Sequence, residues 1–323
     1  MQMQPPSPRN RGAEAPLPID PARLLVVGAS GRALAQSAVA EGLKVDAIDL
    51  FCDSDLREVA KMSFRSINFP HDLASIAEQL PYSNWMYCGG LENHPEVIDA
   101  ICEKHRLRGI RGQPLKKVRA PETLFATVPG PEFCTDPDSD QLDSTRWLMK
   151  PRKSGGGLGI HSVGNVGECR ARLSNGTHYA QRLIDGQSMS TLYLGNGERV
   201  RTLASFRSIG REGTWHYQGS VGPVAVSSPQ QKWLEQIGEK LVHSFQLCGI
   251  FGVDWIADRS GRSLVLEVNP RWTATAELCE RSLGVPLVRW HLAACDGGEL
   301  PPLSPNAGTD KLYVKRILYA ARE

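Results

Sequence analysis

Asp254, Glu267, Asn269 and Arg271 fall within one run, Phe251 to Arg271, that reads as two apolar segments joined by a Gly-containing turn. Side chains alternate across a strand, so Glu267, Asn269 and Arg271 share one face of the second segment, and a hairpin brings Asp254 beside them. Oxygen ligands next to a fixed guanidinium suit Mg²⁺ that carries nucleotide phosphates. The competing reading is an ordinary edge strand whose Pro270 stops the ladder and whose charges face water. Taken alone, the pattern leaves both readings open.

Upstream, Trp147 to Lys150 is a short apolar segment that delivers a lysine into Pro151-Arg-Lys-Ser-Gly-Gly-Gly-Leu-Gly159. Glycines let a backbone approach an anion and adopt positive φ, while Lys150, Lys153 and Ser154 add charge and hydrogen-bond donors, so this loop can lie over phosphates. A flexible surface hairpin is the plainer account of it. No Gly-Lys-Ser/Thr follows at P-loop spacing, and no dinucleotide fingerprint is present. Between the two sites, Tyr179 to Ser190 reads as a strand, a break at Asp185-Gly186, and a second strand. A purine can bond the exposed backbone at such a break, although a plain β-hairpin fits the segment on its own.

In this order the pieces resemble the ATP-grasp superfamily, the carboxylate–amine ligases and their relatives. In that family a lysine on a strand precedes a flexible Gly-rich loop, a hinge holds adenine, and a closing strand pair supplies Mg²⁺ ligands. The matching positions are Lys150, Gly155 to Gly159, Gln181 to Ile184, Asp254, Glu267, Asn269 and Arg271, and the resemblance runs from about Arg23 to the C-terminal end. It implies an α/β chain with an ATP-grasp fold behind an N-terminal Rossmann-like domain. The implied division is a tail over 1–20, the Rossmann-like domain over 21–112, and the ATP-grasp domain over 113–323, split into a lid lobe to about 184 and a C-terminal lobe from about 185.

The resemblance also implies ATP with Mg²⁺, or Mn²⁺ in its place. Lys117, Lys150, Ser154, Gly155, Gly156, Gly157, Gln181, Arg182, Leu183 and Ile184 would surround the nucleotide, with Lys116 the alternative to Lys117. Asp254, Glu267 and Asn269 would hold metal, and Lys150 and Arg271 would stabilise the transferred group. Many members carry glutamate where Gln181 and Asp254 stand, and the shorter Asp254 carboxylate bears on how many ions bind. The implied chemistry is phosphorylation of a small-molecule carboxylate, attack by an amine on the acyl phosphate, and no protein nucleophile. Closure of the Gly-rich loop would keep water from the acyl phosphate. The segment Glu267 to Leu278 is similar to versions associated with methanopterin-linked and methanofuran-type one-carbon cofactors, which implies a role in cofactor assembly and puts Thr273, Thr275 and Glu277 near the acceptor. A non-catalytic ATP-binding regulatory or scaffold protein is the alternative, disfavoured because binding alone tolerates loss of metal ligands.

With 323 residues the chain can bury a sizeable core in two or three lobes. Lys plus Arg total 37 against 35 Asp plus Glu, so overall charge carries no nucleic-acid signal. The most cationic stretch, Lys104 to Arg119, reads as a solvated helix-and-loop surface apart from the nucleotide lysine, and a nucleic-acid module would rest on that stretch alone. None of the eight cysteines forms a Cys-x-x-Cys pair and the histidines are dispersed, so zinc spacing and a disulfide scaffold are excluded in favour of reduced, mostly buried thiols. Met1 to Asp20, rich in proline, reads as a disordered tail without the apolar core of a signal peptide. No segment supplies the roughly 20 uninterrupted apolar residues of a membrane helix. A cytoplasmic protein with no membrane or nucleic-acid partner is expected, and a homodimer is compatible with all of this.

Folded structure is expected to begin with a strand at Arg23 to Gly28, turning through Gly28-Ala-Ser-Gly31 into a helix with Leu34, Ala38 and Val39 inward. A strand from Lys44 to Leu50 completes a right-handed parallel crossover. The Gly28/Gly31 turn is a structural turn, a substrate contact or an anion seat at a helix start. Trp85 to Gly90 reads as strand and loop, followed by a helix from Pro95 to His105. Glu92, at the strand's C-terminal end, is either a substrate contact or a helix-start carboxylate. Strands dominate from the Lys150 segment to Val226 and carry Arg199, Arg201, Arg207 and Arg211, of which Arg201 and Arg207 are candidate anion contacts. Ser228 to Phe245 is a helix whose core stripe is Trp233, Ile237, Leu241 and Phe245.

Overall fold

The computed structural model describes residues 20–81, 83–140, 142, 146–210, 213–303 and 310–318. The expected tail therefore lies outside the described residues except for Asp20, which opens the first strand, and Arg211 lies outside them too.

Alternating strands and helices build the N-terminal layer: β1 (Asp20–Gly28), α1 (Arg32–Ala40), β2 (Lys44–Asp49), α2 (Ser54–Val59), β3 (Met62–Arg65), α3 (Leu73–Glu78), β4 (Ser83–Tyr87), α4 (Pro95–Ile101) and β5 (Arg106–Leu107). Every pairing among these strands is parallel, in the order β3-β2-β1-β4-β5. This is the Rossmann-like arrangement that the strand, helix, strand pattern predicts. Leu24 to Val27 are all buried because helices cover both faces of the sheet. Val39 is 38% exposed, so the inward face of α1 is Leu34, Ala35 and Ala38 instead. The helix expected over Pro95 to His105 ends at Ile101.

Two helices, α5 (Gly112–Arg119) and α6 (Pro121–Thr127), lead into a four-stranded antiparallel sheet of β6 (Phe133–Cys134), β7 (Trp147–Pro151), β8 (His161–Ser162) and β9 (His178–Arg182), with α7 (Val166–Ser174) against it. The chain then forms β10 (Gly186–Asn196), β11 (Val200–Gly210), β12 (Tyr217–Gly222), α8 (Ser228–Phe245), β13 (Cys248–Asp258), β14 (Ser263–Asn269), α9 (Ala274–Leu283), α10 (Val288–Cys295) and β15 (Tyr313–Arg316). Their six strands make an antiparallel sheet in the order β14-β13-β10-β11-β12-β15. Tyr179 to Ser190 is therefore no hairpin, because β9 ends in the small sheet and β10 starts in the large one. The helix α7 interrupts a region expected to be dominated by strands, and the Asn165 side chain caps it by accepting from the Gly167 amide at 2.8 Å.

The parallel sheet and the large antiparallel sheet share their cores. Leu25, Val27 and Trp85 pack in one cluster with Leu241, Phe251 and Trp255, while Leu24, Val26 and Leu34 pack in another with Leu192, Phe206 and Trp272. The small sheet keeps a separate core of Trp147, Met149, Cys169, Leu173 and Ala180. The cationic stretch is also not one solvated surface: Arg108 is buried and, with Arg106, pairs with Asp296, while Lys104 donates to the Glu78 carbonyl. All eight cysteines are free, five of them buried. Among the described residues no helix is long and apolar enough to cross a membrane.

The stripe on α8 is buried at Ile237, Leu241 and Phe245, with Trp233 packed at its edge against Trp255, ring centroids 5.5 Å apart. Leu241 is fully enclosed. Leu241→Ala is expected to cost about 2–5 kcal/mol through lost transfer energy and a residual cavity, read as a lower denaturant midpoint with an unchanged slope. A midpoint unmoved by the substitution would contradict this placement.

Candidate functional site

β13 and β14 pair so that Asp254 lies opposite Glu267, and the register then shifts because Leu266 is extra on β14. A bulge of this kind re-aims side chains, and here it leaves both carboxylates on the wall of one cavity. Asn269 sits two residues further along the same face and donates from Nδ2 to Asp254 Oδ2 at 3.0 Å and Glu267 Oε1 at 3.4 Å. Burial, reinforced by the Glu267 charge, pushes the Asp254 carboxyl up to about 7. Burial pushes Glu267 the same way, but the Arg119 and Lys150 charges outweigh it and hold Glu267 low.

The cavity, of about 440 Å³, lies between the small and large sheets and is lined by Arg119, Lys150, Gln181, Ile184, Asp254 and Glu267 among others. Lys150, on β7, is buried, and its Nζ donates to Gln181 Oε1 at 3.1 Å. Gln181 Nε2 is buried on the same wall without a hydrogen-bond partner. A buried donor left unpaired carries a free-energy cost that a ligand acceptor can relieve. Arg182, Leu183 and Ile184 continue the lining where the chain crosses between sheets, although the Leu183 amide is already given to the Arg146 carbonyl at 2.6 Å.

The Gly-rich loop closes one side. Gly156, Gly157 and Gly159 have φ of +63°, +75° and +74°, which only glycine adopts without strain. The Tyr217 amide donates to the Gly156 carbonyl at 2.9 Å, and a Cβ on Gly157 would lie 1.8 Å from the Trp215 carbonyl oxygen. The loop is thus latched onto the segment that enters β12. Ser154 and Gly155 also line the cavity, with the Ser154 hydroxyl turned back to the Leu158 carbonyl at 2.6 Å.

The family model for an ATP-grasp domain matches residues 116–275, which span Arg119, the Gly-rich loop, the Gln181 to Ile184 crossing and the carboxylate hairpin. The chain carries an ATP-grasp domain.

Three solved structures resemble the whole arrangement. The biotin carboxylase domain of Hydrogenobacter thermophilus 2-oxoglutarate carboxylase, in complex with MgADP, ADP and bicarbonate, aligns with a TM-score of 0.71 and 16% identity over 88% of this chain and 72% of its own. Staphylococcus aureus N5-carboxyaminoimidazole synthetase, complexed with ADP, aligns with a TM-score of 0.68 and 18% identity over 90% of this chain and 81% of its own. Rhizobium etli pyruvate carboxylase aligns at 0.70 and 18% identity over 90% of this chain and 29% of its own. The arginine-specific carbamoyl phosphate synthase large chain of Bacillus subtilis is 25% identical over 167 residues, 49% of this chain. The match spans 16% of that relative's length. These likenesses fix the fold as ATP-grasp behind a Rossmann-like domain.

Several ATP-grasp expectations meet a different geometry. Lys116 and Lys117 are exposed on α5, and the cation of that helix which reaches the cavity is Arg119. Arg119 Nη1 lies 3.7 Å from Glu267 Oε2 and donates to the Val268 carbonyl at 3.1 Å, while Nη2 donates to the carbonyl of Ser154 at 3.2 Å. Arg271 does not line the cavity. It stands behind the carboxylates, with Nη2 3.4 Å from Asn269 Oδ1 and Nε 2.7 Å from Glu92 Oε1. Glu92 has 0% side-chain exposure, so it is not a substrate contact on this surface. Glu277 bonds Arg32 at 3.0 and 3.1 Å and Lys315 at 2.8 Å, which makes it a tether between α9, α1 and β15. The Thr273 and Thr275 hydroxyls bond each other at 2.9 Å, and neither they nor Arg201 and Arg207 line the cavity. The start of α1 holds the chain's own Asp49 carboxylate, 2.5 Å from the Gly31 amide, and is closed to an outside anion.

Among the described residues no three His, Cys, Asp or Glu side chains cluster to hold a metal ion. The donor set is two carboxylates and an amide, with Asp254 raised by burial and by the neighbouring Glu267 charge. Hard oxygens in that state fit Mg²⁺ with its other ligands from phosphate and water. Asn269 offers Nδ2 to the carboxylates, so joining as a ligand requires its amide to turn over and release Arg271.

Two predictions follow from this geometry. Native Asp254 keeps its proton up to about 7 against an ordinary value of 3.8, so the cation-free protein loses stability from this group as pH rises between them. A bound cation needs the carboxylate form, so Mg²⁺ affinity measured by calorimetry should rise from about pH 6 to about pH 8, and Asp254→Asn should abolish that slope. A flat profile in the unmodified protein would refute the carboxylate pair as the cation seat. Separately, Gly157→Ala should break the latch to Trp215 and speed proteolytic cleavage within 154–159, with little change in thermal midpoint because the loop adds nothing to the core. Unchanged cleavage would show that the latch does not hold the loop.

Proposed function

We propose that this chain binds ATP with Mg²⁺ in the cavity between its two antiparallel sheets and uses it to activate a small-molecule carboxylate as an acyl phosphate, which an amine attacks to form an amide. The observation that carries the reading is the convergence of Lys150 and Arg119 with Asp254 and Glu267 on one cavity, with Asn269 bonded to both carboxylates and a Gly-rich loop latched beside it. Cations and metal-seeking oxygens lining one cavity are what a magnesium triphosphate requires. The ADP and MgADP named for the similar structures support the same ligand.

Adenine would rest on the Gln181 to Ile184 crossing, where the unpaired Gln181 Nε2 supplies a donor. Lys150 and Arg119 would draw the phosphates toward Asp254 and Glu267. Mg²⁺ would neutralise phosphate charge while the group transfers. Arg271, beyond Asn269, would steady the transferred phosphate or the acyl phosphate. Gly155 to Gly159, with the Ser154 backbone held by Asn93 and Arg119, would keep water from that intermediate. No protein nucleophile takes part. A role in assembling a one-carbon cofactor rests on the resemblance of Glu267 to Leu278 alone, so pterin- and furan-linked carboxylates and amines belong in the substrate panel.

A scaffold that only binds ATP has no need of the full carboxylate and cation set. The test is ADP release from MgATP across a panel of carboxylates and amines. Release is expected only with both co-substrates present, and Glu267→Gln should lower kcat by about 10²-fold or more. ADP release that ignores the co-substrates, or survives Glu267→Gln, would sink the ligase reading.

A further inference from the structure

The Glu92–Arg271 pair behind the cavity joins the two halves of the molecule. Glu92 comes from the loop after β4 in the Rossmann-like sheet, and Arg271 from the end of β14 in the large sheet. Both oxygens of Glu92 and the Nε of Arg271 are buried without a hydrogen bond, so the 2.7 Å contact between Nε and Oε1 compensates them as a pairing of charges. Arg271 in turn has little freedom. Its Nη1 donates to the Trp272 carbonyl at 3.1 Å, and Gly89 lies under the guanidinium with room for no more than a Cβ at 3.7 Å from Cζ. The same sheet grips the same backbone one residue earlier, where the buried Tyr87 hydroxyl donates to the Pro270 carbonyl at 3.1 Å. An arginine has five N–H donors in a fixed fork. With Nε held by the Glu92 charge and Nη1 by its hydrogen bond, Nη2 lies on the Asn269 side, where it donates to Oδ1 at 3.4 Å.

We propose that Glu92 is a positioning residue: it acts through Arg271, holding the guanidinium so that Nη2 meets the transferred phosphate beside Asn269, and the Rossmann-like domain thereby completes a site otherwise built by the ATP-grasp domain. The inference rests on the phosphate role given to Arg271 above. It follows that the Nε contact is made before any ligand arrives, so ordering the arginine is not charged against binding. It also follows that Arg271 reads only a small anionic group, since its side chain is 13% exposed.

The test uses inorganic phosphate with the full-length chain loaded with MgADP, a mimic of the products. Glu92→Gln keeps the side-chain shape and removes the charge. Phosphate affinity should fall by about 10-fold or more, as for partners that orient a ligand-binding group, while MgADP affinity changes by less than about 2-fold. Adding Glu92→Gln to Arg271→Ala should bring no further loss of phosphate affinity. Multiplying losses in the double variant, or equal loss of MgADP affinity, would overturn the proposal, because a merely structural Glu92 would act without Arg271. Absence of phosphate binding to the unmodified protein would overturn it as well. Should Glu92→Gln not fold, the Arg271 Nε–H resonance of the unmodified protein, assigned with Arg271→Lys, decides: slow exchange with water is expected, and fast exchange contradicts the contact. Failure of every carboxylate and amine pair to release ADP would count against the ligase reading and leave these outcomes intact.

Discussion

Two carboxylates on paired strands repel each other, and the fold keeps Asp254 and Glu267 together at that cost. The rest of the molecule is arranged around their compensation. Arg119 arrives from α5, Lys150 from the small sheet, and Asn269 with Arg271 from the strand end itself. None of these cations forms a tight bidentate pair with the carboxylates, and burial with the Glu267 charge holds the Asp254 carboxyl up at about 7. A site poised in this way gains most from a divalent cation that brings its own phosphate ligands. The same imbalance that would be a defect in a core suits the cavity to the ligand proposed for it.

The architecture divides the work between rigid and movable parts. The large sheet and the parallel sheet share buried side chains on both faces, so the carboxylate hairpin and its Arg271 anchor stand on one frame. The small sheet has its own core and meets that frame through the chain crossing at Gln181 to Gly186, the α5–α6 connection and the loop latched at Trp215. Lys150 belongs to the small sheet and Asp254, Glu267 and Asn269 to the large one. Under the proposed function, a bound magnesium triphosphate would bridge the two sheets.

Much of this was legible in the sequence. Period-two alternation and a Gly-containing turn place Asp254, Glu267 and Asn269 on one face, and the structure joins them by hydrogen bonds. The apolar period placed α8 from about Ser228 to Phe245, and the structure adds a Ser227–Gln230 capping box at its start. What escaped depends on contacts far apart in the chain. Glu277 reads as a polar residue near a site, and only its ion pairs with Arg32 and Lys315 show it to be a tether. Tyr179 to Ser190 has the local pattern of a hairpin, and only pairing with β7 on one side and β13 on the other sends its two strands to different sheets. Two misses had a usable signal. Leu115 and Val118 mark the buried face of α5, which puts Arg119 at the inward edge and Lys116 and Lys117 outside. Asn165 followed by Glu168 is the spacing of a helix start, and it announced α7.

The central claim is that charges from separate lobes converge on a magnesium-loaded triphosphate. Calorimetric titration of the unmodified chain with ATP, with and without Mg²⁺, tests it most directly when repeated on Lys150→Ala. The account predicts saturable one-to-one binding that weakens by at least about 10-fold when either the cation or the Lys150 amine is removed. Binding indifferent to both, or no saturable binding at all, would contradict it.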